Sequence, residues 1–106
     1  MEKVIVDGKV AVIIHPEYGL GWSSAYPDIP ELLFDPGIVS LHKEKQWEKL
    51  KTYLVLKFPD LAYSYTDRDL KSLVICWVPQ GAKFRIEAYD GREDIVLYYN
   101  EKWITA

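Results

Sequence analysis

The chain is poor in the residues that build redox, metal and disulfide chemistry. Cys76 is its one cysteine, which excludes an intramolecular disulfide. It sits inside Leu73-Val74-Ile75-Cys76-Trp77-Val78 with no nearby base, the setting of a small core residue and not of a reactive thiol. His15 and His42 are the only histidines, and neither His-x-x-x-His nor Cys-x-x-Cys spacing occurs, so no metal site is expected. No apolar run approaches the roughly 18 residues a membrane helix needs. Met1-Glu2-Lys3-Val4 leads into a strand pattern instead of a signal peptide, so the expected location is the cytoplasm. A basic excess is missing too. Sixteen acidic residues against thirteen basic ones leave a net charge of −3, the wrong sign for a protein that grips duplex nucleic acid through its phosphates.

What is present describes one globular domain over residues 1–106, with 49% apolar and 27% charged residues. Val4-Ile5-Val6 and Lys9 to Ile14 flank Asp7-Gly8, the pair that supplies both positive-φ positions of a type I′ hairpin turn. Val6 then faces Lys9 and Val4 faces Ala11. Val4, Ala11 and Ile13 share one face; Ile5, Val10, Val12 and Ile14 share the other, so the hairpin needs cover on both sides. A second turn, Asp90-Gly91, opposes Ala88 to Glu93, Ile86 to Ile95 and Phe84 to Leu97 on an apolar face. The opposite face sets Arg85 against Val96 and Glu87 against Asp94. Like charges placed opposite one another weaken a ladder; either Arg85 or Arg92 relieves this pair, or it meets a cation or a basic partner. Leu73–Val78 reads as a further, central strand, turned by Pro79-Gln80-Gly81 into the strand that starts at Phe84.

Asp35-Pro36 is an N-cap followed by proline at the first helical position. Ile38, Val39 and Leu41 point to a different side from Trp47, Leu50 and Leu54, which predicts a short helix near 36–42, a break around Lys43 and a longer helix near 44–57. Residues 61–71 read as a polar connection. The expected class is α+β: a mainly antiparallel sheet of about five strands, in the order ββ-αα-βββ, packed on one short and one longer helix. The lysines at 43, 45, 49, 51 and 57, against Glu44 and Glu48, form a basic stretch that reads as a solvated helix face or as a docking surface for an acidic partner.

Residues 15–30 form a long loop for so small a domain, and such loops are commonly functional. It combines Gly19 and Gly21 with Tyr18, Trp22 and Tyr26 and the hydroxyls of Ser23 and Ser24. Glycine lets backbone approach a ligand closely, and aromatic faces stack on planar groups. Either the loop forms a pocket, or its aromatics plug the core. Gly19-Leu20-Gly21 is no dinucleotide fingerprint, since Ser24 stands at the third glycine position and no βαβ unit follows. Gly21-Trp22-Ser23 lacks the second glycine of a nucleophile elbow, and no Walker A lysine occurs. A Ser23–His15–Asp28 trio and a Glu87–Asp94 acid–base pair exist on paper only; neither pattern points to an enzyme. Aromatics reach 14%, and Tyr98, Tyr99 and Trp103 on the last strand invite pairing between chains, so a homo-oligomer is expected.

Three blocks carry a resemblance: Tyr18-Gly19-x-Gly21-Trp22-Ser23, then Leu32-Leu33-Phe34-Asp35-Pro36-x-Ile38-Val39, then Trp77-Val78-Pro79-x-Gly81-x-x-Phe84-Arg85-Ile86-x-x-Tyr89-Asp90-Gly91. Together they resemble a largely uncharacterised family of small bacteriophage and prophage proteins. The resemblance spans nearly the full chain and departs from the pattern after Ser23 and in the lysine-rich helix. It implies a phage origin and residence in the host cytoplasm, and it brings no catalytic residue. The expected function is a non-catalytic accessory binder, an anti-defence factor that sequesters a nucleotide-like signalling ligand without a cofactor. Tyr18, Gly19, Gly21, Trp22, Ser23, Ser24 and Tyr26 would line its pocket, and Arg85 and Arg92 would meet phosphates. The alternatives are an inhibitor of a host immunity protein, a small hydrolase or nucleotide-modifying enzyme, and a structural virion role.

Overall fold

Both Asp-Gly pairs form the turns their sequence demands. Asp7 and Gly8 lie at φ 51° and 74°, Asp90 and Gly91 at 48° and 80°, the left-handed region that a type I′ turn requires. A computed structural model describes residues 1–61 and 65–98. The first turn joins β1 (Ile5–Val6) to β2 (Lys9–Ile14), and the second joins β4 (Phe84–Tyr89) to β5 (Arg92–Leu97). Between them come α1 (Pro36–Lys43), α2 (Trp47–Lys57), α3 (Asp67–Ser72) and β3 (Val74–Pro79). The domain is α+β with five antiparallel strands. Among the described residues no helix is long and apolar enough to cross a membrane.

The strands divide into a three-stranded sheet ordered β1-β2-β3 and a separate β4–β5 ribbon. β2 is therefore the central strand, and β3, expected there from its apolar run, is an edge. The run covers both faces of the sheet without saying which edge is paired. All six residues of β3 pair with β2, from Lys9 opposite Pro79 to Ile14 opposite Val74, while Val74 and Trp77 stay more than a third exposed. Instead of pairing with β3, the chain turns at Gln80-Gly81, and β4–β5 lies across the sheet.

That arrangement supplies the two-sided cover β2 needs. Ala11 and Ile13 pack into a cluster with Ile38, Val39, Leu50 and Leu54 of the helices. Val10, Val12 and Ile14 pack on Val78 and Phe34, with Phe84, Ile86, Ile95 and Leu97 of the ribbon against them. The ribbon has the register read from its turn, Phe84 opposite Leu97, Ile86 opposite Ile95 and Ala88 opposite Glu93.

The helix break falls at Glu44–Gln46. Lys45 sits at φ 56°, its N–H donates to the His42 carbonyl, and the Gln46 N–H donates to the Leu41 carbonyl, the paired bonds of a Schellman end. The expected polar connection holds α3 instead. Thr66 and Asp69 exchange side-chain and backbone hydrogen bonds in a capping box, and Leu70 is buried against the core. Lys51 of the basic stretch pairs with Asp67, tying α2 to α3.

Asp35 anchors the start of α1. Its carboxylate is buried and accepts from the Ile38 N–H at 3.0 Å, the Tyr53 hydroxyl at 2.7 Å and the Lys57 ammonium at 2.6 Å. Burial alone would raise its pKa, but Lys57, Tyr53 and the Ile38 amide outweigh that and hold it below the ordinary 3.8. Its contribution to stability is therefore complete above that ordinary value and is lost as the pH falls through the lower folded value. Asp35→Ala is expected to cost about 1–2 kcal/mol near neutral pH. Urea unfolding at about pH 7 and about pH 3 should show the gap between wild type and variant narrowing in acid; a gap independent of pH would refute the assignment.

Candidate functional site

The tip of the β4–β5 ribbon meets the loop that follows β2, and the meeting point is organised by one acid. Glu93 is fully buried, at 0% exposure. Its Oε1 accepts from the His15 N–H at 2.9 Å. Its Oε2 accepts from the Trp22 N–H at 3.0 Å, the Ser24 N–H at 2.9 Å and the Ser24 hydroxyl. Its own N–H donates to the His15 carbonyl at 2.8 Å. Loop backbone that turns away from a sheet leaves N–H groups needing acceptors, and a carboxylate offers about four acceptor positions at once. Glu93 was not singled out from the sequence, although its place on the apolar face with Ile86 and Ile95 was the signal.

Glycines bring the two segments into contact. Gly91 lies so close to the loop that a Cβ there would overlap the Gly19 carbonyl and stand 2.8 Å from the Gly21 nitrogen. The Gly19 N–H donates to the Asp90 carbonyl at 2.9 Å. The loop is thereby stitched to the hairpin turn on one side and to Glu93 on the other.

The loop residues expected to line one pocket are split by this geometry. Trp22, expected as a stacking platform, is fully buried. Its indole N–H donates to the Leu32 carbonyl at 2.8 Å, and its ring meets Tyr65 edge to face at 5.1 Å, so it plugs the core. Ser23 is buried in a short 3-10 turn, Ser23–Ala25, and the Ser24 hydroxyl is committed to Glu93. Tyr26 is half-buried with its ring 6.5 Å from that of Tyr65. The Gly21 carbonyl accepts the Tyr65 hydroxyl at 2.8 Å; burial pushes that phenol above its usual range and keeps it a donor. The His15 Nδ1 lies 2.9 Å from the Glu17 carbonyl, and no hydrogen bond between His15 and Ser23 or Asp28 is present among the described residues.

Tyr18 stands apart from these. It is 63% exposed and meets Tyr89 edge to face at 6.4 Å. The Arg92 guanidinium lies 5.9 Å from the centre of the Tyr18 ring, within reach of a cation–π contact. These three residues, with Glu87, Ala88 and Asp94, line an open hollow of about 400 Å³, within the size range of small-molecule sites. Arg85 and Arg92, expected as phosphate ligands, have different positions. Arg85 pairs with Glu87 and lies over the Tyr98 ring, which relieves the Glu87–Asp94 opposition as one sequence alternative had it. Arg92 has no ion pair among the described residues. Tyr99 and Trp103, named for self-association, lie outside the described residues. Among the described residues no group of three or more His, Cys, Asp or Glu is placed to hold a metal ion.

Comparison with protein-family models, curated proteins and solved structures finds no match to this chain.

Two outcomes check the clamp. Glu93→Gln turns one acceptor oxygen into a donor that faces N–H groups, and it should cost about 2–4 kcal/mol in urea unfolding; a loss under about 0.5 kcal/mol would sink the account. Gly91→Ala should cost more than about 3 kcal/mol, because positive φ and backbone overlap act together. Gly8→Ala, in the same turn type with nothing within 4 Å, should cost only about 1 kcal/mol. Equal losses at the two glycines would contradict the close approach.

Proposed function

We propose that this chain is a non-catalytic capture protein that holds a planar, anionic small molecule in the hollow at the ribbon tip. The observation that carries the reading is the convergence of Tyr18, Tyr89 and Arg92, which has no ion pair among the described residues, on one solvent-open cleft. Tyrosine rings give contact area at low entropic cost, and a guanidinium fork suits a phosphate or carboxylate. Support for a non-catalytic role comes from the groups a reaction would need. The His15 ring serves the Glu17 carbonyl in place of Ser23, and Glu87 serves Arg85 in place of Asp94, so each candidate set has one member engaged elsewhere.

The resemblance in the Tyr18, Leu32 and Trp77 blocks supports placing it as a phage accessory protein in the host cytoplasm. A nucleotide-like defence signal is then the ligand class that fits an aromatic and arginine cleft. Self-association belongs to the same reading, supported by exposed Ile5 and Val6 on β1 and Val74 and Trp77 on β3. A second reading, inhibition of a host immunity protein, draws on exposed Leu20 beside Tyr18 and on exposed Tyr89, since tyrosine and arginine are enriched at protein interfaces.

Native mass spectrometry tests the capture reading on protein purified from bacteria and mixed with mono-, cyclic and dinucleotides. A stoichiometric nucleotide mass on an oligomer is expected. Arg92→Ala should weaken retention at least about tenfold while the fold is kept, since a hydrogen-bonded charge is lost. A wild-type protein that retains none of the panel overturns the nucleotide reading, and a bare monomer overturns self-association.

A further inference from the structure

The outer face of the β4–β5 ribbon holds two charged side chains that have no ion-pair partner among the described residues. Glu87 and Asp94 are cross-strand partners, but Glu87 is neutralised by Arg85. Asp94 is exposed and has neither an ion pair nor a hydrogen bond among the described residues. Arg92 likewise has no ion pair among the described residues, its guanidinium lying over the Tyr18 ring. The two stand two residues apart on one strand, on the same face and in the same hollow. A two-residue step along a strand is about 7 Å. The hollow thus offers a planar two-pronged donor, a free carboxylate acceptor about 7 Å along the strand, and two tyrosine rings.

Arg92 suits an anionic group and Asp94 a hydrogen-bond donor, so the hollow fits a ligand that carries both together with a flat surface for the tyrosine rings. A nucleoside monophosphate sets its phosphate and its vicinal hydroxyls on opposite ends of a furanose. A carboxylate is the acceptor proteins use against ribose hydroxyls, because one group can take both O–H donors. We propose that Asp94 is a specificity-determining residue that accepts the 2′ and 3′ hydroxyls of a free ribonucleoside 5′-monophosphate, or of a small signal built from one, with the phosphate on Arg92. This rests on the capture reading and adds to it the sugar. A free nucleotide is favoured over an RNA end by the net charge of −3 and by a hollow of about 400 Å³, room for one nucleotide.

The test is calorimetric titration of the full chain with AMP, GMP, CMP and UMP and with their 2′,3′-dideoxy counterparts. On wild type, the ribonucleotide that binds best should exceed its dideoxy counterpart by about tenfold or more, the worth of hydrogen bonds to a charged acceptor. Asp94→Ala, an exposed replacement whose fold circular dichroism confirms, should bind both forms equally and at the dideoxy level. Asp94→Asn should restore part of the difference. Equal binding of ribo and dideoxy forms to wild type overturns the role of Asp94 while leaving capture intact. Binding of none of the monophosphates, together with an empty nucleotide panel in the mass spectrum, overturns both. A short ribo-oligonucleotide that binds more tightly than any monophosphate overturns the free-nucleotide assignment.

Discussion

The Glu93 carboxylate accepts four hydrogen bonds from a segment of chain about seventy residues away in sequence. Removing a carboxylate from water costs several kcal/mol, and only a full set of donors offsets that. Here three backbone N–H groups and a hydroxyl supply it. The donors gain as much as the acceptor, because the loop leaving β2 turns away from the sheet just where its amides lose strand partners. One side chain thus satisfies groups that no helix or ladder could, and the path of residues 15–24 follows from it.

Asp35 repeats the solution at the loop's other end. It too is buried, and it too gathers its donors, an amide of α1 and a hydroxyl and a cation of α2. Between the two acids, Trp22 and Leu32 are driven inward and joined by the indole hydrogen bond. The segment between β2 and α1 is therefore pinned at both ends by carboxylates and in the middle by a buried aromatic. Burial of apolar surface drives this packing, but the acids decide which backbone path the apolar residues take.

The hairpins were legible in the sequence because two local signals agree there: an Asp-Gly turn sets the register, and alternation sets the faces. The whole β4–β5 register and both faces of β2 follow from them. The place of β3 was not legible, since an unbroken apolar run states that a strand is covered but not which neighbour pairs with it. Thr66-x-x-Asp69 spells the capping box of α3, but the polar residues on either side give that short helix no apolar periodicity to mark it. At the site, Tyr18 and Arg92 were named on their residue types, and their contact was not visible, because it depends on Glu93 and Gly91 closing a long-range gap. Trp22 shows the limit from the other side. An aromatic in a glycine-rich loop has the same appearance whether it faces a ligand or the core, and only the Leu32 carbonyl and the Tyr65 ring distinguish the two.

The clamp also bears on how a hollow this open could bind anything well. A shallow site contributes few contacts, so affinity depends on how little must be ordered when the ligand arrives. Tyr18 projects from backbone fixed on both sides, by His15 on Glu93 and by Gly19 on Asp90. Arg92 is the chain neighbour of Glu93 and opens the strand that carries it. The backbone that carries the aromatic ring and the guanidinium is thus set by the bonds that stabilise the fold, before any ligand is present. Groups held in that way lose little freedom on binding. Under the proposed capture reading, stability and binding would be linked through the same few hydrogen bonds: a change that loosens Glu93 weakens the core and also frees the backbone that sets Tyr18 beside Arg92.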